Sequence, residues 1–392
     1  MAQQKIGRND SCPCGALKPD GTRMKYKKCC ELKKSRPVPP EILEYFKNNP
    51  PILEPFEKGG FLTGRPFITE IFQGMRIRAV ANVIYQRAID ETFHQFLLRR
   101  FSELLTQKWM EAEEKKRQPH TLILWFRETQ GNINASDEKG DGLLRGVKMT
   151  GNMRALLALA YDFYSLQHCI APVPQKLLNR LRDENEFQGA RYEIAVAGLA
   201  CRSGFEIKWI NDTGKHCEFI GTHKITGEKA AFEAKSHHRG GVLGRDGNFD
   251  SETAKTKIID HVKEALEQTV AEDLPLVIFD DLNLPLTAGV QLNEKKWFKE
   301  VEDHLQRYGF LDKQEYKRCA VLMITNFSWH FHHNVPPEHN ELVTHFHQGG
   351  KYSLKSDTVL HYLDLAAKQY GFVPALSYEF NQAPNTTPIT AE

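Results

Sequence analysis

The chain has 392 residues, 41% of them hydrophobic and 26% charged, with a formal net charge of +2. That length allows two or three domains with real cores, and the composition excludes a disordered or fibrous class. No apolar run approaches the ~20 residues that span a bilayer, and no signal-type apolar segment follows Met1, so a cytoplasmic, non-membrane setting is expected.

The charge is unevenly placed. Residues 1–36 carry ten Lys or Arg against Asp10, Asp20 and Glu31. Four of the eight cysteines crowd into the same stretch, while Cys169, Cys201, Cys217 and Cys319 are scattered. Clustered cysteines in a cytosolic chain point to a metal site rather than to disulfides. Gly7-Arg-Asn-Asp-Ser-Cys12-Pro-Cys14-Gly, followed by Lys25-Tyr-Lys-Lys-Cys29-Cys30, resembles the SEC-C motif, a small zinc knuckle. The resemblance implies that Cys12, Cys14, Cys29 and Cys30 ligate one structural Zn²⁺, whose binding would supply the folding energy of so short a segment. The two Cys pairs stand farther apart than in the family, and Pro19-Asp20-Gly21 between them predicts a longer hairpin.

Arg36-Pro-Val-Pro-Pro40 reads as a linker, and residues 41–66 as irregular structure with one short helix. From Pro66 to about Arg117 apolar residues recur at three- and four-residue steps, among them Ile68, Ile71, Phe72, Met75, Val83, Phe93, Phe96, Leu97, Phe101 and Leu105. That spacing predicts one long amphipathic helix or two in tandem. Thr121–Phe126 is open to strand or helix, and residues 129–142 read as a loop. Leu143–Leu166 and Gln175–Phe187 predict two further helices, parted by Pro172 and Pro174. Residues 37–186 therefore read as a helical domain without a catalytic grouping.

The next stretch, 187–328, is different. Gly189–Gly204 predicts a helix carrying Glu193. Strands follow at Phe205–Ile210, Cys217–Ile220 and, after a turn at Gly227, Ala230–Lys235. A polar, Gly-rich loop (236–250) holds His237, His238, Arg239 and Arg245. A helix over Ala254–Glu272, a buried strand over Leu274–Asp280, a helix over Trp297–Tyr308 and a strand over Arg318–Thr325 complete the segment. At period two, Ala231, Glu233 and Lys235 share one strand face. An acid and an amine so placed, with Glu218 on the neighbouring strand, are poor strand formers and costly to bury unpaired. A divalent cation ligated by Glu218 and Glu233 would offset that cost.

Glu218, fourteen intervening residues, then Glu233-Ala234-Lys235 resembles the PD-(D/E)XK nuclease superfamily. The resemblance implies an α/β fold with a restriction-endonuclease-like αβββαβ core and a mixed sheet, preceded here by the helical domain and the N-terminal knuckle. It further implies Glu193, Glu218, Glu233 and Lys235 as catalytic residues, with Mg²⁺ or Mn²⁺ on Glu218 and Glu233. Cys217-Glu218 departs from the family's usual Pro-Asp, and the longer carboxylate displaces any metal slightly. The expected activity is metal-dependent hydrolysis of nucleic acid, DNA before RNA, in defence against foreign DNA or in repair by fold analogy. His238, Arg239, Arg245 and Gln268 are the candidate substrate contacts, the loop residues lying where phosphate contacts fall. Homodimerisation would allow paired cuts. The alternative is a non-catalytic adaptor that docks on a ribosome or protein partner through its zinc motif. The tail, 329–392, is rich in histidine, with His330 and His332 in alternation, and carries one helix over Lys355–Tyr370. Its end, Ala383–Glu392, is expected to be disordered.

Overall fold

The computed structural model describes residues 68–80, 83–135, 147–210, 214–251, 253–268, 273–287, 289–332, 340–347 and 350–373, with isolated positions at 9 and 25. The cysteine knuckle, the linker, the 41–66 segment and the 383–392 tail lie outside the described residues. Among the described residues no helix is long and apolar enough to cross a membrane. The chain divides into two compact units, one containing residues 66–87 and the other residues 88–377.

In the first unit the expected helix is replaced by a sheet. β1 (Ile68–Phe72), β2 (Met75–Val80) and β3 (Val83–Arg87) form an antiparallel meander. The three- and four-residue steps also fit period two, as Met75, Ile77 and Ala79 do. Ile and Val favour a pleated surface. The local chemistry decides it: Gln73 and Gly74 both take positive φ (49° and 74°), the two-residue hairpin turn that Gly favours.

The second unit opens with helices. α1 (Phe93–Leu105) starts at a capping box in which Gln95 N–H donates to Thr92 Oγ1 (3.1 Å) and Thr92 N–H to Gln95 Oε1 (2.8 Å). α2 (Gln107–Glu114), α3 (Thr121–Ala135), α4 (Gly151–His168) and α5 (Gln175–Leu181) follow. Thr121–Phe126 is thus helical, and its helix runs through the first half of the expected loop. α6 (Phe187–Arg202) is buried along its whole length. A helix buried all round needs small residues where neighbours press on it. Gly198 is one: a Cβ there would meet Asp162 of α4 at 2.6–3.0 Å.

The six-stranded mixed sheet has spatial order β4 (Phe205–Trp209), β5 (Phe219–His223), β6 (Lys229–Ser236), β7 (Leu276–Asp281), β8 (Cys319–Asn326), β9 (Glu341–Phe346). β4, β5 and β6 run antiparallel, β6, β7 and β8 parallel, and β9 antiparallel to β8. The β6–β7 crossover carries α7 (Ile258–Leu266) and the β7–β8 crossover α8 (Lys296–Tyr308). Every residue of β7 and β8 is buried, as continuous apolar runs in central parallel strands should be. Ile258, Val262, Trp297, Val301 and Leu305 from α7 and α8 pack with Ala231, Ile278 and Leu322. The aromatic cluster Phe205, Phe219 and Phe232 builds another part of the core, its rings 4.8–5.1 Å apart along the chain of contacts. α6 packs on β6 and β4, and α9 (Asp357–Lys368) on α6 and β9. The tail therefore joins the sheet and the helical layer. β9 was not foreseen, because its Glu341-Leu-Val-Thr-His-Phe346 run stands among histidines and prolines.

One buried histidine gives the helical layer a pH limit. His120 sits edge-on between Trp109 and Phe187 (centroids 5.3 and 4.9 Å), and its Nδ1 accepts from Leu122 N–H at the start of α3 (3.2 Å). Burial lowers its pKa to about 4. The unfolded chain therefore binds a proton that the fold refuses, and stability falls as pH drops from 6.5 through about 4. The loss should approach ~3 kcal/mol from this residue. Urea unfolding of His120→Asn, compared with wild type at each pH, should show a shallower acid limb. Parallel limbs would assign the acid sensitivity elsewhere.

Candidate active site

The elements run helix, three strands, helix, strand from α6 through β7, and they bring the four expected catalytic residues together. Glu193 projects from α6, Glu218 precedes β5, and Glu233 and Lys235 stand on β6. Glu218 N–H donates to Phe232 O (3.0 Å), although Phe219 is already the residue paired with Phe232. Two residues thus oppose one, the arrangement of a β-bulge, which re-aims side chains and interrupts strict alternation.

The three acids form one charge cluster. Glu193 is 6% exposed and Glu233 2%, whereas Glu218 is half-buried. The Glu193 and Glu218 carboxyls act on each other electrostatically. Burial raises all three pKa values. Glu218 is pushed well up by burial and then by Glu193 and Glu233, and Glu233 reaches about 7. Each end of the cluster has its own cation. Arg180 of α5 grips Glu193 with both guanidinium nitrogens (2.7 Å each), and Lys235 Nζ lies 3.3 Å from Glu233 Oε1 and 3.5 Å from Glu264 Oε2 on α7. Glu233 Oε2 is buried without a hydrogen-bond partner. Burial works against the Lys235 ammonium, but Glu233 and Glu264 outweigh it and hold its pKa above the ordinary value. Lys235 is therefore held as a charged amine beside Glu233 and Glu264.

Beside the cluster opens a cleft of about 590 Å³. Its walls include Arg180, Lys235, Arg239, Lys255 and Lys257 against Glu193 and Glu264. The expected substrate contacts fare differently. His238 lines the cleft and lies against Gly189, where a Cβ would come within 2.8 Å of its Nε2, so only glycine admits the ring there. Arg239 also lines it, yet its guanidinium donates to Leu282 O (2.9 Å) and Lys255 O (3.3–3.4 Å), which ties it to the scaffold. Arg245 donates to Asn185 O (2.8 Å) and lies 3.1 Å from His238 Nδ1. Gln268 is not among the cleft residues: α7 ends at Leu266, and the Gln268 carbonyl accepts from Arg318 (3.3 Å). The 236–250 loop is tied down by the fully buried Gln188. Its amide donates to Arg239 O and Val242 O (2.9 and 2.6 Å) and accepts from Arg239 N–H (2.8 Å).

A second grouping adjoins the first. Asp280 on β7 is in register with Lys235 and fully buried. His261 Nδ1 of α7 lies 2.9–3.0 Å from both its oxygens, and His237 Nε2 lies 3.5 Å from Oδ1. The ligand atoms of His237, His261 and Asp280 are all within 4.8 Å of one another, the one such triple among the described residues. Arg180, Glu264, His261 and Asp280 were missed in sequence. Asp280-Asp281, closing an otherwise apolar strand, was a usable signal for one of them; Arg180 offered none. His330 of the tail has Nε2 3.0 Å from Asn283 Oδ1 inside the core.

Comparison of the chain with protein-family models, with curated proteins and with solved structures gave no match.

Proposed function

We propose that this chain hydrolyses phosphodiester bonds in nucleic acid, DNA before RNA, using Mg²⁺ or Mn²⁺ held by Glu218 and Glu233. The observation that supports this reading is the gathering of three acids, from α6, the residue before β5, and β6, around a charged lysine at the wall of a cationic cleft. Glu218 and Glu233 offer carboxylate oxygen, the donor a hard divalent ion takes, and Glu233 Oε2 is buried without a partner. Such an ion, when bound, supplies Lewis acidity toward the phosphate and the attacking water.

The remaining roles fall to the chain. Lys235, held as an ammonium, stabilises negative charge that builds on the phosphate oxygens. Glu193, fixed by the Arg180 fork, orients its carboxylate toward Glu218. Lys255 and Lys257 in the cleft wall draw the nucleic-acid backbone, without reading its bases. Incubation of the full chain with plasmid, linear duplex, single-stranded DNA and RNA, with and without Mg²⁺ or Mn²⁺, tests the reading. Metal-dependent cleavage of DNA is expected. Intact substrates in every lane would refute hydrolysis of these polymers.

A further inference from the structure

The His237, His261 and Asp280 triple is not used by the carboxylate cluster, and its donor atoms are of another kind. His237 donates to the backbone of Thr256. Its Nε2 has no hydrogen-bond partner, so the donating nitrogen is Nδ1. Nε2 then carries a lone pair, and the ring is 95% buried, since its exposure is 5%. That lone pair meets Asp280 Oδ1 across 3.5 Å in the protein interior. Two electron-rich atoms so close need a cation beside them; a proton on His261 Nδ1, 2.9–3.0 Å from both Asp280 oxygens, supplies one, and a metal ion held by all three groups would take its place. A backbone acceptor on the far ring nitrogen is also how metal-ligating histidines are oriented and their tautomer fixed.

The spacing suits such an ion. Bonds of about 2.0–2.2 Å in a tetrahedral shell set neighbouring donors about 3.3–3.6 Å apart. The His237–Asp280 separation of 3.5 Å already meets this. The His261–Asp280 separation of 2.9 Å is a proton-bridged contact that opens by about half an ångström when the proton is exchanged for a metal. Two imidazole nitrogens with one carboxylate favour a borderline first-row ion over Mg²⁺, which prefers oxygen.

We infer that His237 Nε2, His261 Nδ1 and the Asp280 carboxylate form a binding site for a divalent transition ion of the Zn²⁺ class, separate from the Glu218–Glu233 site. His237 and His261 both line the cleft, so the remaining coordination position faces it and accepts an anionic oxygen from there. The site stands on its own donors and does not depend on whether the carboxylate cluster hydrolyses anything.

Titration of the full chain with Co²⁺, read by visible absorption and by equilibrium dialysis, tests the assignment. His261→Gln keeps an amide to hydrogen-bond Asp280 and removes the imidazole donor. It should fold, as circular dichroism will report, and bind one Co²⁺ fewer at saturation, or bind that equivalent at least about tenfold more weakly. Thiolate-to-metal absorption should be unchanged by this variant. His237→Ala should lose the same equivalent, whereas Glu218→Gln should retain it. Unchanged stoichiometry and affinity in folded His261→Gln would overturn the site. So would loss of the same equivalent in Glu218→Gln, which would assign the ion to the carboxylates.

Discussion

Glu233→Gln will slow cleavage about a thousandfold and, in the same protein free of Mg²⁺ and Mn²⁺, raise thermal stability at pH 8. Both effects follow from one buried carboxyl. Burial raises the pKa of Glu233 to about 7, and Lys235 only partly opposes that rise. A carboxyl whose folded pKa exceeds its unfolded value holds a proton in the fold that the unfolded chain releases. Its contribution is full below pH 4.5 and is lost as pH rises through about 7. At pH 8 the ionised, half-partnered side chain therefore burdens the fold. The neutral amide removes a penalty of order 1–3 kcal/mol. Glu193 and Glu218 are shifted in the same direction, so the metal-free wild type should itself become less stable from pH 5 to pH 8, and added Mn²⁺ should restore more at pH 8. For catalysis the amide is a poor ligand and carries no charge, and a loss of about a thousandfold in rate is expected, ~4 kcal/mol of transition-state stabilisation. Lys235→Met should lose a similar factor while leaving Mn²⁺ affinity within a few-fold, because the ammonium is not a ligand. Undiminished cleavage by Glu233→Gln would take the cluster out of the chemistry. A Glu233→Gln variant less stable than wild type at pH 8 would contradict the burial argument instead.

The sheet was legible where one physical signal dominated. Leu276–Asp281 and Cys319–Asn326 are apolar runs too short for helices, and they form the buried parallel centre. Glu233 and Lys235 stood out because charge on alternate positions of an otherwise apolar strand is expensive without a partner. Their surroundings were not legible, since those partners come from distant residues. Arg180 reaches Glu193 across thirteen positions, and Glu264 reaches Lys235 from α7. Residues 68–87 failed for a different reason. Eight large apolar residues (Ile68, Ile71, Phe72, Met75, Ile77, Val80, Val83 and Ile84) at mixed spacing satisfy both periods, and only the positive φ of Gln73-Gly74 selects the hairpin. The anchoring of the 236–250 loop was not legible, because composition reports polarity and glycine content but not a buried Gln188 that ties two carbonyls and an amide together.

Arg202→Met should cost more stability than any change in the cleft. Arg202 ends α6 wholly inside the protein, where its Nη2 donates to Asp162 Oδ1 (2.8 Å) and its Nη1 to Ser165 Oγ (3.0 Å). Its guanidinium also lies near the rings of Tyr161 and Tyr370 (5.2 and 5.7 Å). Tyr370 O–H donates to the other oxygen of Asp162 (2.8 Å), so one carboxylate joins α4, α6 and the chain after α9. Burial pushes the Asp162 carboxyl up, against the pull of Arg202. Removing the cation leaves that acid with a single hydroxyl in a site of zero exposure, and breaking a buried pair of this kind costs about 3–5 kcal/mol. The same reasoning gives the sign of the double variant. Asp162→Asn with Arg202→Met removes both charges, keeps an amide oxygen for Tyr370, and should recover a large part of the loss. Urea unfolding of the four proteins completes the cycle: the midpoint should fall steeply for Arg202→Met at unchanged slope and rise again in the double variant. Strictly additive losses would show that the two charges do not depend on each other, and that Arg202 acts through its packing against Tyr161 and Tyr370.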